Sequence, residues 1–153
     1  MTAVPQRVAI TAEITERTGI DTSMIENLVH TFYGHVRDDN LLAPIFDARV
    51  KDWDAHLQQM CRFWSSVALM SGEYQGQPMG KHIVLPIDAR HFDRWLALFK
   101  ATARTVCPEA AADHFIDRAR RIAASFELAV AGQHNVLLPR GARFTNDALD
   151  CGD

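Results

Sequence analysis

Residues 21–38 read DTSMIENLVHTFYGHVRD, and this stretch decides the fold class. Apolar residues recur in it at intervals of three and four, which is the spacing of one face of an α-helix. Asp21 or Thr22 suits the start of this helix, because each side chain can accept a hydrogen bond from the first helical N–H groups. The stretch predicts an amphipathic helix with a buried face of Ile25, Leu28, Val29, Phe32, Tyr33 and Val36.

Three later segments show the same helical period. Residues 51–71 have an apolar face wide enough to be packed on two sides. A third helix follows Asp88, which is a suitable cap, and Pro108 suits the first turn of a fourth. No stretch alternates as a half-buried strand does. The sequence therefore predicts an all-α fold with four main helices.

The segments between and around these helices set the predicted boundaries. SGEYQGQPMGK, residues 71–81, interrupts the pattern with three glycines and a proline. Residues 1–20 are predicted as an N-terminal extension or a short helix, and residues 21–131 as the folded domain. Residues 132–153 have no clear period and are predicted as a loose C-terminal tail.

Composition narrows the class of protein. A chain of 153 residues with 48% apolar content suits one domain with one core. The net charge of −3 argues against a nucleic-acid surface, and the apolar runs are too interrupted to span a bilayer. The N-terminus has no signal-peptide pattern, so the expected location is the cytoplasm. The three cysteines form no CxxC or CxxCH motif, which predicts reduced thiols and excludes a zinc ribbon or c-type haem attachment.

Three polar residues stand out because their neighbours are apolar. Tyr33 and His56 each lie in an apolar helical stripe, where a buried polar group needs a partner. His82 lies in the apolar segment GKHIVLP. Spacing alone favours a core histidine for His56 and a loop histidine for His82. The alternative is a flat apolar cofactor with one open iron coordination site, which would satisfy all three residues together.

Three longer stretches resemble the truncated haemoglobins, and most closely their third group. They are FYGHVRDDNLLAPIF (32–46), WDAHLQQMCRFWSSVALMSGEYQGQPMGKH (53–82) and LPIDARHFDRWLALF (85–99). The resemblance extends from Ile25 to Phe126. It implies a two-on-two helical sandwich, built from the helices called B, E, G and H in this family, around haem b. Gly-Gly hinges typical of the other groups are not apparent, which fits the third group.

The resemblance also implies roles for individual residues. His82 matches the proximal iron ligand, Tyr33 the distal tyrosine of helix B and His56 the distal histidine of helix E. Trp95 matches the helix G tryptophan, whose indole N–H can point at a bound ligand. The remaining lining positions of the haem cavity are matched by Phe46, Met60 and Phe63.

Lys81 and His91 lie on either side of the predicted ligand in the sequence. Lys81 either pairs with a haem propionate or is exposed to solvent, and the sequence leaves both readings open. His91 has no matching role in the family and is predicted to be a structural or surface residue near the start of a helix. His30 and His35 are five residues apart, so they point to different sides of their helix and are predicted to be solvated or partly buried.

The function implied by the resemblance is tight binding of oxygen and other small ligands, namely nitric oxide, carbon monoxide or cyanide. Hydrogen-bond donors beside such a ligand predict slow oxygen release. The same pocket suits conversion of nitric oxide to nitrate or peroxidase-like chemistry, with electrons from a separate reductase. A haem-based sensor or store without catalysis is the alternative, and a haem-free helical interaction module is a third hypothesis. The expected assembly is a monomer or weak dimer.

Overall fold

The computed structural model describes residues 3–70 and 86–146, and these residues form helices and no strand. The all-α prediction is therefore confirmed. Two further helices accompany the four main ones of the prediction: a helix of 16 residues precedes them, and a short helix of 5 residues follows the first of them. In chain order the helices are α1 (Ala3–Thr18), α2 (Thr22–Asp38), α3 (Ala43–Asp47), α4 (Trp53–Leu69), α5 (Ala89–Val106) and α6 (Glu109–Gln133).

Aspartate side chains start three of these helices. Asp21 accepts a hydrogen bond from the Met24 N–H at 2.8 Å, and Asp52 accepts one from the Ala55 N–H at 3.2 Å. Asp88 caps α5, which confirms the role predicted for it. Each cap satisfies an N–H group that has no partner within the helix. The helix boundaries are thus set by short local contacts that leave a signal in the sequence.

The four long helices after α1 pack as two pairs. The first pair is α2 with α4 and the second is α5 with α6, and α2 also packs against α5. At the centre, the Trp64 ring stacks on Phe99 with centroids 4.8 Å apart and contacts Phe115 edge-on at 6.1 Å. All three of these side chains are almost fully buried. The two-on-two arrangement follows from apolar faces on α2 and α4 that meet the apolar face of α5.

The first helix packs against the ends of α4 and α6. Ile14 of α1 is buried in the main core, and the Thr11 hydroxyl donates to the Leu69 carbonyl oxygen at 2.6 Å. From α6, a ring nitrogen of His114 lies 2.7 Å from the carbonyl oxygen of Ala68. The last carbonyl groups of a helix have no partner within it. The C-terminal end of α4 is therefore held by side chains from two other helices.

The segment after Gly132 is ordered as far as residue 146, so the prediction of a loose tail is wrong for this part. Phe144 is buried in a second apolar cluster with Phe92 of α5. The buried Glu127 carboxylate accepts hydrogen bonds from the Phe144 N–H at 2.8 Å and from Arg143 Nη2 at 2.9 Å. Side-chain bonds to backbone have no sequence period, which is why the pattern did not reveal them.

Asp39 joins the end of α2 to α3 and α5. Its buried carboxylate accepts hydrogen bonds from the N–H groups of Leu41 and Leu42, at 3.1 and 2.9 Å, and from Arg94 Nε at 2.6 Å. Burial alone would raise the pKa of Asp39, but these hydrogen bonds and the Arg94 charge outweigh it, so the pKa is lowered. The charged carboxylate therefore stabilises the corner between the two helix pairs.

We expect Asp39→Ala to lower the free energy of unfolding by about 1–2 kcal/mol near neutral pH, because two N–H groups and Arg94 lose a buried acceptor. The half-exposed Arg94 keeps the value modest. Because the pKa of Asp39 is lower in the folded protein than the ordinary value of 3.8, its carboxylate stabilises the fold at pH values above 3.8. This stabilisation is lost as the pH falls through the folded pKa. Urea titrations of both proteins at neutral and strongly acidic pH test this.

Asp38→Ala is the matched control, because Asp38 is the exposed neighbour of Asp39. We expect it to change stability much less. An Asp39→Ala penalty that is equally large at both pH values would contradict the role given to the ionised carboxylate.

No helix of the described segments has the length and apolar character that crossing a membrane requires.

Candidate functional site

Tyr33 lies at the centre of an aromatic group between α2 and α4. Its side chain is 5% exposed, and its ring centroid lies 5.3 Å from that of His56 at an interplanar angle of 85°. Burial raises the pKa of the Tyr33 hydroxyl, which favours its protonated form. A buried hydroxyl in this state is a protonated donor that is available to a bound molecule.

His56 is surrounded by three aromatic rings. Besides Tyr33, it contacts Trp53 edge-on at 5.5 Å and Phe46 at 6.5 Å. The edge of an aromatic ring carries partial positive charge and its face partial negative charge, so edge-to-face contacts favour one orientation. The structure therefore brings together three of the predicted site residues, Tyr33, Phe46 and His56, and the orientation of the imidazole is restricted.

The Phe32 ring lies between Trp95 and Tyr33. The Phe32 ring contacts Tyr33 edge-on at 5.0 Å and Trp95 edge-on at 5.5 Å. On its other side Trp95 stacks on Phe99 at 5.6 Å, with an interplanar angle of 14°. Trp95 is partly exposed and packs against both apolar clusters. Its position is thus fixed by two phenylalanines, and Phe32 links it to the tyrosine.

The remaining predicted lining residues, Met60 and Phe63, follow His56 in α4. Met60 and Phe63 are partly buried and pack against the main core. Phe63 contacts Trp64 edge-on at 5.7 Å. Lys81 and His82, the predicted propionate partner and iron ligand, lie outside the described residues. Their roles stay predictions.

Two residues of this site were missed by the sequence analysis. Trp53 was not among the predicted site residues, yet its ring contacts Tyr33 at 6.1 Å as well as His56. The Arg37 guanidinium lies over the Trp53 ring at 4.6 Å from its centroid. A signal existed, since Trp53 precedes His56 by three residues and Arg37 follows Tyr33 by four, both helical neighbour spacings.

The other notable histidine has a structural role, as predicted. His91 Nδ1 accepts a hydrogen bond from the Asp88 N–H at 3.1 Å, while the Asp88 side chain caps the same turn. Burial lowers the pKa of His91 despite the nearby Asp88 charge, which favours the neutral imidazole. His91 completes a reciprocal cap at the start of α5 and is held there by the backbone.

The two described cysteines lie in surroundings that favour the protonated thiol. Cys61 and Cys107 are free and partly buried. Burial raises the pKa of both thiols, that of Cys107 to about 11, and the Glu26 charge contributes at Cys61. Both therefore stay protonated near neutral pH, which agrees with the predicted reduced thiols. Cys151 lies outside the described residues.

The family to which the chain belongs follows from comparison with known proteins. The sequence profile of the bacterial-like globin family matches residues 14–127. The chain belongs to the bacterial-like globins. This globin is 34% identical over 113 residues to the group 3 truncated haemoglobin of Campylobacter jejuni, an alignment that covers 71% of this chain and 89% of the relative.

A solved structure supports the same assignment. The crystal structure of the group III truncated haemoglobin from Campylobacter jejuni matches this globin with a TM-score of 0.64 and 34% identity, over 71% of this chain and 89% of the other. The predicted resemblance and the truncated-globin fold are thereby confirmed. Globins bind small gaseous ligands through haem, and membership of the family brings that general activity to this chain.

The residues of this globin fit such a cofactor. The Tyr33 hydroxyl supplies a buried donor, and the His56 imidazole supplies a second polar group beside it. Phe46 and Trp53 surround the pair with flat apolar surface, and their rings are tilted by 31° to one another at 6.4 Å. Pockets for small ligands are usually lined by apolar and aromatic side chains with a few polar groups, as here.

Proposed function

We propose that this globin holds haem b through His82 and binds oxygen tightly, with Tyr33 and His56 on the ligand side. The observation that carries the proposal is the buried Tyr33 side chain, which lies edge-on against His56 in an aromatic enclosure. Bound haem would supply an iron atom that takes one small ligand.

Tyr33 is the main hydrogen-bond donor to the ligand in this proposal. Because burial raises the pKa of its hydroxyl, the proton is retained and remains available for donation. A hydrogen bond in a low-dielectric pocket is stronger than one in water, so a ligand with partial negative charge is held for longer. Slow oxygen release is the expected consequence, and it argues against a transport role.

The neighbouring residues exclude water and add donors. Trp95, fixed between Phe32 and Phe99, offers its indole N–H as a second donor. His56 adds a further polar contact or controls access, while Phe46, Met60 and Phe63 form apolar walls. We further propose that Lys81 pairs with a haem propionate. The cofactor is held without covalent attachment, since the sequence has no CxxCH motif.

Visible spectra of the purified protein test the haem proposal. We expect a Soret band in the ferric protein that shifts on reduction with dithionite and shifts again with carbon monoxide. The reduced spectrum also shows whether His56 occupies the sixth coordination position. A protein that gives no Soret band after haem is added would contradict the proposal and leave a helical domain without a cofactor.

Turnover of nitric oxide to nitrate is a second proposed function, favoured by the donor pair of Tyr33 and His56 at a ring distance of 5.3 Å. Donors fixed before the reaction stabilise developing negative charge, which suits this chemistry and peroxide cleavage. A separate reductase is required, because the sequence has no flavin or nicotinamide motif. Stoichiometric nitrate after mixing the oxygenated protein with nitric oxide is expected. Its absence would favour a sensor or store.

A further inference from the structure

Trp53 connects the aromatic enclosure to the surface. Its ring contacts both residues of the Tyr33–His56 pair, with centroid distances of 5.5 Å to His56 and 6.1 Å to Tyr33, and the residue itself is partly exposed. It is the first residue of α4, one helical turn before His56. Trp53 therefore forms the outer wall of the enclosure at the corner where α2, α3 and α4 meet.

Arg37 covers this wall from outside. Its guanidinium lies 4.6 Å from the Trp53 ring centroid, within the range of a cation–π interaction. Arg37 is exposed and belongs to the last turn of α2, where a positive charge also interacts favourably with the helix dipole. The contact ties the end of α2 to the start of α4. Arg37 lies one turn after Tyr33 in α2, and Trp53 lies one turn before His56 in α4.

We propose that the Arg37–Trp53 pair fixes the orientation of His56 and thereby controls how fast small neutral ligands reach the distal pocket. The inference rests on the proposed function, since it takes His56 to be on the ligand side of the haem. When Trp53 moves outward, His56 loses the ring contact at 5.5 Å, while its ring contacts with Tyr33 and Phe46 remain. The imidazole is then freer to rotate and open the pocket.

The chemistry of the pair makes the arginine specific. A planar guanidinium stacks on an indole over its whole face, whereas an ammonium group is a compact, strongly hydrated charge. Arg37→Lys therefore retains the charge but holds the ring less well. Because the ligands are neutral, attraction of charge across the solvent does not account for the effect. Comparison of Arg37→Lys with Arg37→Gln therefore separates the effect of the positive charge from the effect of the contact with the Trp53 ring.

The test is the bimolecular rebinding of carbon monoxide after flash photolysis of the haem-loaded protein. We expect Arg37→Gln to speed rebinding by about two- to fivefold, the equivalent of one exposed cation–π contact. Trp53→Leu removes the ring itself and is expected to speed it by about tenfold. Arg37→Lys should lie between the wild type and Arg37→Gln. In the double variant Arg37→Gln with Trp53→Leu, the effects should not multiply, because both act through one ring.

Arg49→Gln is the matched control. Arg49 is an exposed arginine of the same corner whose Nη1 donates to the Ile45 carbonyl oxygen at 3.3 Å. Loss of its charge should leave the rebinding rate unchanged. Thermal unfolding and the reduced visible spectrum of every variant separate a change of His56 position from a general loss of structure. The expected signature is a changed rate, with a changed six-coordinate fraction in the Trp53 variant and similar unfolding midpoints.

Rebinding rates equal to the wild type in both Arg37→Gln and Trp53→Leu would overturn the inference. Equal acceleration by Arg49→Gln would do so as well, because it would reduce the effect to surface charge. In either case a Tyr33→Phe variant that still releases oxygen faster would leave the proposed function standing. A wild-type protein that binds no haem would overturn the proposed function itself, and the two failures are therefore distinguishable.

Discussion

Replacing His82 with alanine is expected to weaken haem binding by more than about 100-fold. Loss of a residue that only orients a metal ligand commonly costs about 10–100-fold in metal affinity, and removal of the ligand itself should cost more. The measurement is the rate of haem transfer to an excess of an acceptor apoglobin, together with the visible spectrum. Added imidazole should restore the wild-type spectrum, because it supplies the missing nitrogen donor.

Two other histidines provide controls for His82. His35 is exposed on α2, and His35→Ala should leave both spectrum and transfer rate unchanged. His91 lies nine residues after His82 and caps α5, so His91→Ala is expected to lower the unfolding midpoint while the iron spectrum stays the same. A His82→Ala protein with normal haem retention, or a His91→Ala protein with the spectrum of a lost ligand, would refute the assignment of His82.

Replacing Tyr33 with phenylalanine is expected to increase the oxygen dissociation rate by about 10- to 100-fold. A hydrogen bond to a group with charge contributes about 1.5–3 kcal/mol, and it acts only while the ligand is bound. Stopped-flow displacement of oxygen by carbon monoxide measures the rate. Tyr74→Phe removes a hydroxyl from the only other tyrosine in the sequence and is the control. Unchanged oxygen release in Tyr33→Phe would disprove the donor role.

The same substitution should have the opposite effect on the cofactor-free protein. The Tyr33 side chain is held there by its ring contacts, which phenylalanine retains, so the substitution should leave the free energy of unfolding unchanged or raise it by up to about 1 kcal/mol. A tyrosine that served only the fold would show a loss instead. Function and stability therefore move in different directions, which separates the two roles.

Tyr33 also predicts how oxygen release depends on pH. Burial raises its pKa above the ordinary value of 10.0, so the neutral phenol that donates the hydrogen bond persists beyond that pH. The wild-type dissociation rate should therefore show no step due to Tyr33 between neutral pH and pH 10. A rise in rate with a midpoint near 10 would indicate that the hydroxyl is solvated.

Much of the fold was predictable because its signals are local. The apolar period of residues 21–38 and the caps at Asp21 and Asp88 report contacts within a few residues. The pairing of Tyr33 with His56 was less direct. Each was recognised as a polar residue in an apolar stripe, and the family resemblance assigned them to one pocket. The observed ring contact at 5.3 Å agrees with that assignment.

The contacts that were missed depend on how separate helices are rotated and placed. Whether Arg37 meets Trp53 depends on the packing of α2 against α4, which no single-helix period specifies. The position of Phe144 depends on Glu127, seventeen residues earlier, through a hydrogen bond to backbone. Neither relation repeats along the chain, so no pattern of spacing reveals it. The role of His82 rests on resemblance and chemistry and stays a prediction.

The ordered segment after Gly132 has a consequence for where this protein can be cut. The family match ends at residue 127, yet the Glu127 carboxylate depends on Arg143 and on the Phe144 N–H, and Asp88 accepts a hydrogen bond from the Asn146 N–H. A fragment trimmed to the shared globin region would leave the buried Glu127 carboxylate without Arg143 and the Phe144 N–H, while Asp88 would keep its bonds to Arg90. We therefore expect a protein cut after residue 127 to unfold at a lower temperature than one that retains residues 128–146.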